Sequence, residues 1–318
     1  MEEDVSLTPE EVASTLKIAK NTVYELIKRG ELTAYRVGRK LRVDQKDVEA
    51  YKKQGKKLET ATTPAVAAHT LHTTTPNIEE PASNLQKLVI CGQDIILDIL
   101  ARHLERHPNG VSALRRQVGS FNGLLALYQG QVHMTAVHLW AGERDLYNIP
   151  YVRRLLPGIP TLIVHLACRM QGFYVAKGNP KGLKNWQDLT RPGIHFVNRE
   201  KGCGTRVLLN EQFRLLGLDS RQVNGYEKEE LSHLAVASSV ARGEADVGVG
   251  IEKVSLQVRG IDFVPLQKER YELVMKKEDA DKPQFQAVLE IIQSLEFKKE
   301  LQGLGDYDLT ETGKIVEV

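Results

Sequence analysis

Residues 202–206 read Gly-Cys-Gly-Thr-Arg, and they stand between a stretch that opens with apolar Phe196 and Val197 and apolar residues at helical spacing, Leu209, Phe213 and Leu216, closed by Gly217. That pattern is strand, tight turn, helix, with a glycine just past the helix end. A helix opening there points free backbone N–H groups and its positive end at whatever lies above the turn. Two glycines let a ligand approach the backbone, Cys203 and Thr205 offer side chains, and Arg206 adds charge. The chemistry is that of an anion site. A second chemistry is conceivable at the same place. A thiol at a helix N-terminus has its pKa lowered, and with His233 as base Cys203 could act as a nucleophile.

The elements that must hold this turn recur along residues 87–318. A buried strand at 88–91 is followed by Gly92, Gln93 and Asp94 and a helix carrying Ile96, Ile99, Leu100 and Leu104 on one face. A second strand ends at Gly119 and Ser120, and its helix runs to Gly130. A third strand covers 131–138. Strands alternating with helices imply a parallel, doubly wound α/β sheet whose ligands sit at the strand-to-helix turns. Three such turns, 92–94, 119–122 and 202–206, are therefore candidates. Residues 125–134 are echoed in pattern at 239–247, each a helix end, a glycine and a strand, which suggests two similar lobes around a cleft. Cys91 and His138 read as core residues, Ser232 and His233 as a helix start, and Asp246 as a structural residue.

The chain has 318 residues, 26% of them charged and 42% hydrophobic, enough for two or three domains. No apolar run reaches membrane-spanning length, and the N-terminus, Met-Glu-Glu-Asp, is acidic where a signal peptide would be basic. A cytoplasmic protein without membrane partners is expected. Cys91, Cys168 and Cys203 make neither a disulfide framework nor a zinc cluster, and the nine histidines contain no HExxH spacing. No metal and no resident cofactor are expected.

Charge is unevenly placed. Residues 17–42 hold eight Lys or Arg (17, 20, 28, 29, 36, 39, 40, 42) against Glu25 and Glu31, a net +6. The whole chain is +2, so the remainder is −4. Such a local basic patch is the footprint of a DNA-binding module. Within it, Thr8, Pro9 and Glu11 write a capping box and helix start. A second helix follows at 20–29, a hairpin around Gly38, and a third helix after Asp44. Helix, turn, helix, hairpin, helix is a winged helix-turn-helix. Lys20, Asn21, Thr22 and Tyr24 lie on the outward early turns of the second helix, where base edges are read, with Lys28 further along it. Arg36, Arg39, Lys40 and Arg42 on the wing would neutralise phosphates. Residues 58–86 contain no Lys or Arg, are rich in Thr, Ala and Pro, and read as a tether. The organisation is thus 1–55 DNA-binding, 56–86 linker and 87–318 ligand-binding.

Residues 7–43 resemble the excisionase/MerR-type DNA-binding domain, with Ala19 where that family usually places a serine N-cap. The region 87–318 is similar to the type II periplasmic-binding-protein fold, specifically the domain related to molybdate-binding proteins. The resemblance rests on Gly119 and Ser120 with 123–127, and on residues 133–139, 147–158, 171–183, 191–209, 232–251 and 261–275. It implies a two-lobed domain, lobe 1 being about 87–167 plus 263–318 and lobe 2 about 168–262, crossed by a two-strand hinge. It also implies a pocket formed by Gln93, Asp94, Ser120, Cys203, Gly204, Thr205, Arg206, Tyr226, Ser232 and His233. Cys203 and Gln93 depart from the serines usual there. The resemblance implies a one-component transcription regulator, a dimer on double-stranded DNA, whose effector is a small anion such as molybdate or tungstate. A zwitterion or cofactor precursor would suit Asp94 and Arg206 together. An enzyme using Cys203 and an excisionase-like architectural protein are the alternatives.

Overall fold

The computed structural model describes residues 6–28, 32–37, 40–56 and 87–318. The tether at 57–86 and Arg39 lie outside the described residues, as do the side chains of Lys28 and Arg36. The chain divides into two compact units, 1–77 and 78–318, each with its own core.

In the first unit β1 (Ser6–Leu7), α1 (Pro9–Leu16), α2 (Lys20–Lys28), β2 (Tyr35–Val37), β3 (Lys40–Asp44) and α3 (Gln45–Lys56) follow in order. The capping box forms: Thr8 N donates to the Glu11 carboxylate at 2.7 Å, and Glu11 N donates to Thr8 Oγ1 at 3.3 Å. Lys17, in the left-handed region at φ 54°, ends α1. The Lys20 ammonium pairs with Glu10 of α1, tying the two helices together. Val12, Val23, Leu26, Leu32, Val43 and Val48 are buried between them and the sheet. The sheet has order β1-β3-β2 among the described residues. β1 is an addition to the expected hairpin, two residues too short to show a period.

The second unit contains β4 (Lys87–Cys91), α4 (Ile96–Arg106), β5 (Ser112–Arg116), α5 (Ser120–Tyr128), β6 (Met134–Val137), β7 (Trp140–Ala141), β8 (Leu146–Tyr147), α6 (Ile149–Leu155), β9 (Thr161–Ala176), β10 (Phe196–Arg199), α7 (Gly204–Leu216), β11 (Glu229–Glu230), α8 (His233–Ala241), β12 (Val247–Ile251), α9 (Glu252–Ser255), β13 (Ile261–Lys276), α10 (Pro283–Gln293), α11 (Leu295–Leu304) and β14 (Ile315–Glu317). One sheet runs β11-β10-β12-β9-β13-β6-β4-β5, with β14 added to β9. Parallel pairing, expected throughout, holds only within each lobe, for β5-β4-β6 and for β11-β10-β12. Between them β9 and β13 pair antiparallel along their whole 16-residue length. The chain goes out along one and returns along the other, so the ribbon between the lobes must be antiparallel.

Each lobe repeats strand, helix, strand, helix, strand. The echo in sequence has matching geometry: Gly130 (φ 71°) and Gly243 (φ 72°) end α5 and α8. Gln131 N and Glu244 N then bond back to Ala126 and Ser239 carbonyls at 2.9 and 3.0 Å. No helix among the described residues is long and apolar enough to cross a membrane.

Candidate functional site

Four turns at the ends of β4, β5, β10 and β11 face one another. Gly92, Gln93 and Asp94 follow β4; Gly119 precedes α5; Gly202 and Cys203 precede α7; Ser232 caps α8, accepting from Ala235 N at 3.0 Å. They enclose a cavity lined by Gln93, Asp94, Ser120, His138, Arg169, Arg199, Cys203, His233 and the ring of Tyr271. The cavity, about 20 Å³, has room for one or two water molecules.

The ribbon supplies the charge. Arg169 and Gln171 are two residues apart on β9 and so share a face, with Glu269 opposite Arg169 on β13. All three are buried. Arg169 donates from Nε to Glu269 Oε1 and from Nη1 to Asp94 Oδ2, and its guanidinium lies 4.1 Å over the Tyr271 ring. Asp94 Oδ1 accepts from Ile96 N and from the Tyr307 hydroxyl, both at 2.9 Å. Glu269 Oε2 is 2.7 Å from His138 Nδ1 and accepts from Gln171 Nε2 at 3.0 Å. Gln171 also reaches Thr205 Oγ1 at 3.0 Å. From lobe 2, Arg199 donates to Glu200 at 2.7 and 2.8 Å and to Gln93 Oε1 of lobe 1 at 2.6 Å.

One asymmetry decides what this arrangement can do. Every oxygen of Asp94, Glu269 and Glu200 already accepts at least one hydrogen bond. By contrast Arg169 Nη2 and Arg199 Nη1 have no partner among the described residues, and both side chains line the cavity. Carboxylates face the arginines while unused N–H donors remain at the cavity.

Glycines let the lobes meet. A Cβ at Gly119 would lie 2.6 Å from Cys203 Cα, and one at Gly204 2.6 Å from the His138 ring. Across the same seam Phe121 N donates to the Gly202 carbonyl at 2.9 Å.

Of the residues expected in the pocket, Gln93, Asp94, Ser120, Cys203 and His233 line the cavity. Gly204, Thr205 and Ser232 do not line it: Gly204 packs against the His138 ring, Thr205 bonds Gln171 and Ser232 caps α8. Arg206 is turned away: it bonds the Arg199 carbonyl at 3.1 Å and Glu229 at 3.3 Å and lies 4.2 Å over Tyr226. Tyr226 in turn stacks on Phe213 and bonds Asn210. His138, read as a core residue, lines the cavity. Arg169, Arg199 and Glu269 were not anticipated. Asp246 accepts from His195 N at 2.8 Å, a structural role.

The lowered thiol pKa expected for Cys203 is also reversed. Burial outweighs Arg199 and the helix-start N–H bonds and pushes it up to about 12, so the thiol is protonated. Burial, then Arg199 and Arg169, hold His233 well below its usual range, and it is neutral. Native protein treated with iodoacetamide at pH 8 should therefore leave Cys203 unmodified, whereas urea-unfolded protein should be alkylated there. Peptide mass spectrometry reads both; ready labelling of the native thiol would contradict the burial argument.

In the first unit Lys20, Asn21, Thr22, Tyr24 and Lys40 are exposed, and Arg42 is partly so. The first four share the early turns of α2, with Lys40 and Arg42 on the neighbouring sheet.

Comparison with known proteins fits both units. Residues 101–293 match the PBP superfamily domain and residues 6–56 a helix-turn-helix domain. The protein YvgK of Bacillus subtilis (strain 168) is 40% identical over 319 residues, covering 99% of each chain. A phosphate ABC transporter substrate-binding protein from Clostridium perfringens, solved with bound phosphate, superposes with a TM-score of 0.52 at 16% identity, over 70% of this chain and 98% of that one. A mutant of ArgBP from T. maritima gives 0.50 at 14% identity, over 70% and 96%. At these identities the two structures speak for the fold alone.

Proposed function

This chain belongs to the PBP superfamily and carries a helix-turn-helix domain ahead of it, and from that premise we propose a one-component transcription regulator. The N-terminal unit holds double-stranded DNA, and the cleft of the second unit binds a small oxyanion that alters DNA binding. The observation that supports an anion is the pair of buried guanidiniums, Arg169 and Arg199, each with an unused terminal nitrogen at a cavity ringed by the starts of α5, α7 and α8. Asp94 does not argue against this, because its oxygens are turned to Arg169, Tyr307 and the start of α4. The protein is read as a binder rather than an enzyme, since Cys203 is a buried, protonated thiol. Molybdate and tungstate are the favoured effectors, and the cytoplasm is the compartment such a role requires. One winged module makes few base contacts, so a homodimer on a two-fold operator is expected. The effector must bind the DNA-competent and incompetent states unequally, or nothing shifts.

The test is a thermal-shift series of the full chain with molybdate, tungstate, sulfate and phosphate. At 100 times Kd a ligand stabilises by about 2.7 kcal/mol, an easily read rise in Tm, and Arg199→Met should remove it. Absence of a shift with all four would sink the oxyanion assignment. On DNA, Lys40→Ala should lower the salt dependence of binding by about one counterion, whereas Asn21→Ala should relax base preference by about 1–3 kcal/mol.

A further inference from the structure

His138 ends the cleft's charge chain with one ring nitrogen committed and the other open. It directly follows β6 and is 8% exposed. A carboxylate can only accept, so Nδ1, 2.7 Å from Glu269 Oε2, carries a hydrogen. Nε2 has no hydrogen-bond partner among the described residues, and the ring lines the cavity. With Nδ1 alone protonated, Nε2 presents a lone pair, which an incoming anion oxygen would meet repulsively. A proton on Nε2 turns the same atom into a donor.

The surroundings decide whether that proton is needed. His138 faces Glu269 and the Tyr271 ring on β13, and Arg169 lies behind Glu269 on β9. Its backbone N donates to Ser120 Oγ of α5. Across the cavity stand Cys203 and Arg199 from lobe 2 and His233 from α8. Within this set two guanidiniums are outnumbered by three carboxylates, Asp94, Glu269 and Glu200. A dianion would add two further negative charges to a buried site, and burying uncompensated charge favours neutralisation by a proton. His233 is held neutral by burial and both arginines, and Cys203 is already protonated. His138, bonded to Glu269, is the remaining acceptor.

Resting on the anion reading above, we propose that the cleft binds its oxyanion together with one proton, shared between His138 Nε2 and a ligand oxygen. A fully ionised dianion such as molybdate draws that proton from solvent. Hydrogen phosphate brings its own, donating its O–H to Nε2. In the first case the result is an N–H···O bond, the proton having passed from solvent to Nε2; in the second it is an O–H···N bond and no proton changes place.

The experiment is isothermal titration of the full chain at pH 8 in two buffers of different ionisation heat, Tris and HEPES. Comparing the heats gives the number of protons taken up. Molybdate should take up close to one and hydrogen phosphate close to none. Molybdate affinity should fall as pH rises, about tenfold per pH unit wherever one proton is taken up on binding. His138→Gln, whose amide keeps a donor, should bring molybdate uptake to zero and flatten that profile. Molybdate binding without proton uptake would overturn the proposal and leave the anion reading standing. If phosphate alone binds, His138→Phe, which offers neither acceptor nor donor, should weaken it at least tenfold, and unchanged affinity overturns the proposal. Failure of both anions to bind overturns the proposal, and the oxyanion reading falls with it only if tungstate and sulfate also fail in the thermal-shift series.

Discussion

Replacing Arg169 with alanine should cost the second unit about 3–5 kcal/mol of stability, the loss typical when one partner of a buried ion pair is removed. The guanidinium is the shared partner of Asp94 and Glu269, and both carboxylates are at most 3% exposed. Without it two negative charges remain in the interior, and the Tyr271 ring loses the cation over its face. Urea unfolding followed by circular dichroism reads the change. Adding Asp94→Asn and Glu269→Gln to the variant should restore part of the loss, because the stranded charges go with them. The pH dependence follows from Glu269. Burial alone would raise its pKa, but Arg169 and His138 bring it down to about 2. A carboxyl lowered on folding stabilises fully above its unfolded value of about 4.3 and loses that contribution as pH falls through about 2. The wild-type unit should weaken over that window, and the alanine variant should weaken less. A loss under about 1 kcal/mol would mean that water reaches these carboxylates.

Gly119→Ala and Gly204→Ala should wedge the two lobes apart. Gly119 has φ −66°, which alanine adopts freely, so its effect is purely one of space. The added methyl would lie 2.6 Å from Cys203 Cα and 2.8 Å from the Gly202 carbonyl oxygen, both backbone atoms. Overpacking of this kind costs about 1–3 kcal/mol. Charged against the closed form alone, that is about a 5- to 150-fold loss of anion affinity. Titration calorimetry gives the affinity, and small-angle scattering should show a larger radius of gyration for the variant with ligand present. Unchanged affinity and unchanged scattering together would mean that the seam at Gly119 plays no part in closure.

Much of this was written locally. The capping box at Thr8 and Glu11, the glycine turns after β4, β5 and β10, and the paired helix endings at Gly130 and Gly243 each depend on residues a few positions apart. That is why they could be read in order along the chain. The charge at the centre of the cleft is different in kind. Arg169 and Glu269 are 100 residues apart and meet only through the register of β9 with β13, which shifts between Pro265 and Gln267 and again between Tyr271 and Glu272. Each shift changes which side chains share a face, and no property of the separate strands announces it. One signal was available: Arg169 and Gln171 interrupt an apolar run at even spacing, the mark of polar groups turned together onto one face. Arg206 shows the opposite hazard. It sits beside the right turn, yet its place on the first turn of α7 aims it at Glu229 and Tyr226 instead of the cavity.

The bond from the Tyr307 hydroxyl to Asp94 spans 213 positions, and β14, at 315–317, pairs with β9. These links set an order of events during translation. Lobe 2 is one continuous stretch between the two ribbon strands and can condense once β13 has emerged from the ribosome. Lobe 1 is begun by β4 and finished by the last strand, so its pairing is non-local and slow to close. A nascent chain stopped between β13 and Tyr307 would hold Arg199 and Cys203 in a formed lobe while Asp94 still lacked the hydroxyl that braces it. Competence to respond to an effector would thus arrive only once Tyr307 and β14 have been made, well after the N-terminal helices had been free to search for DNA.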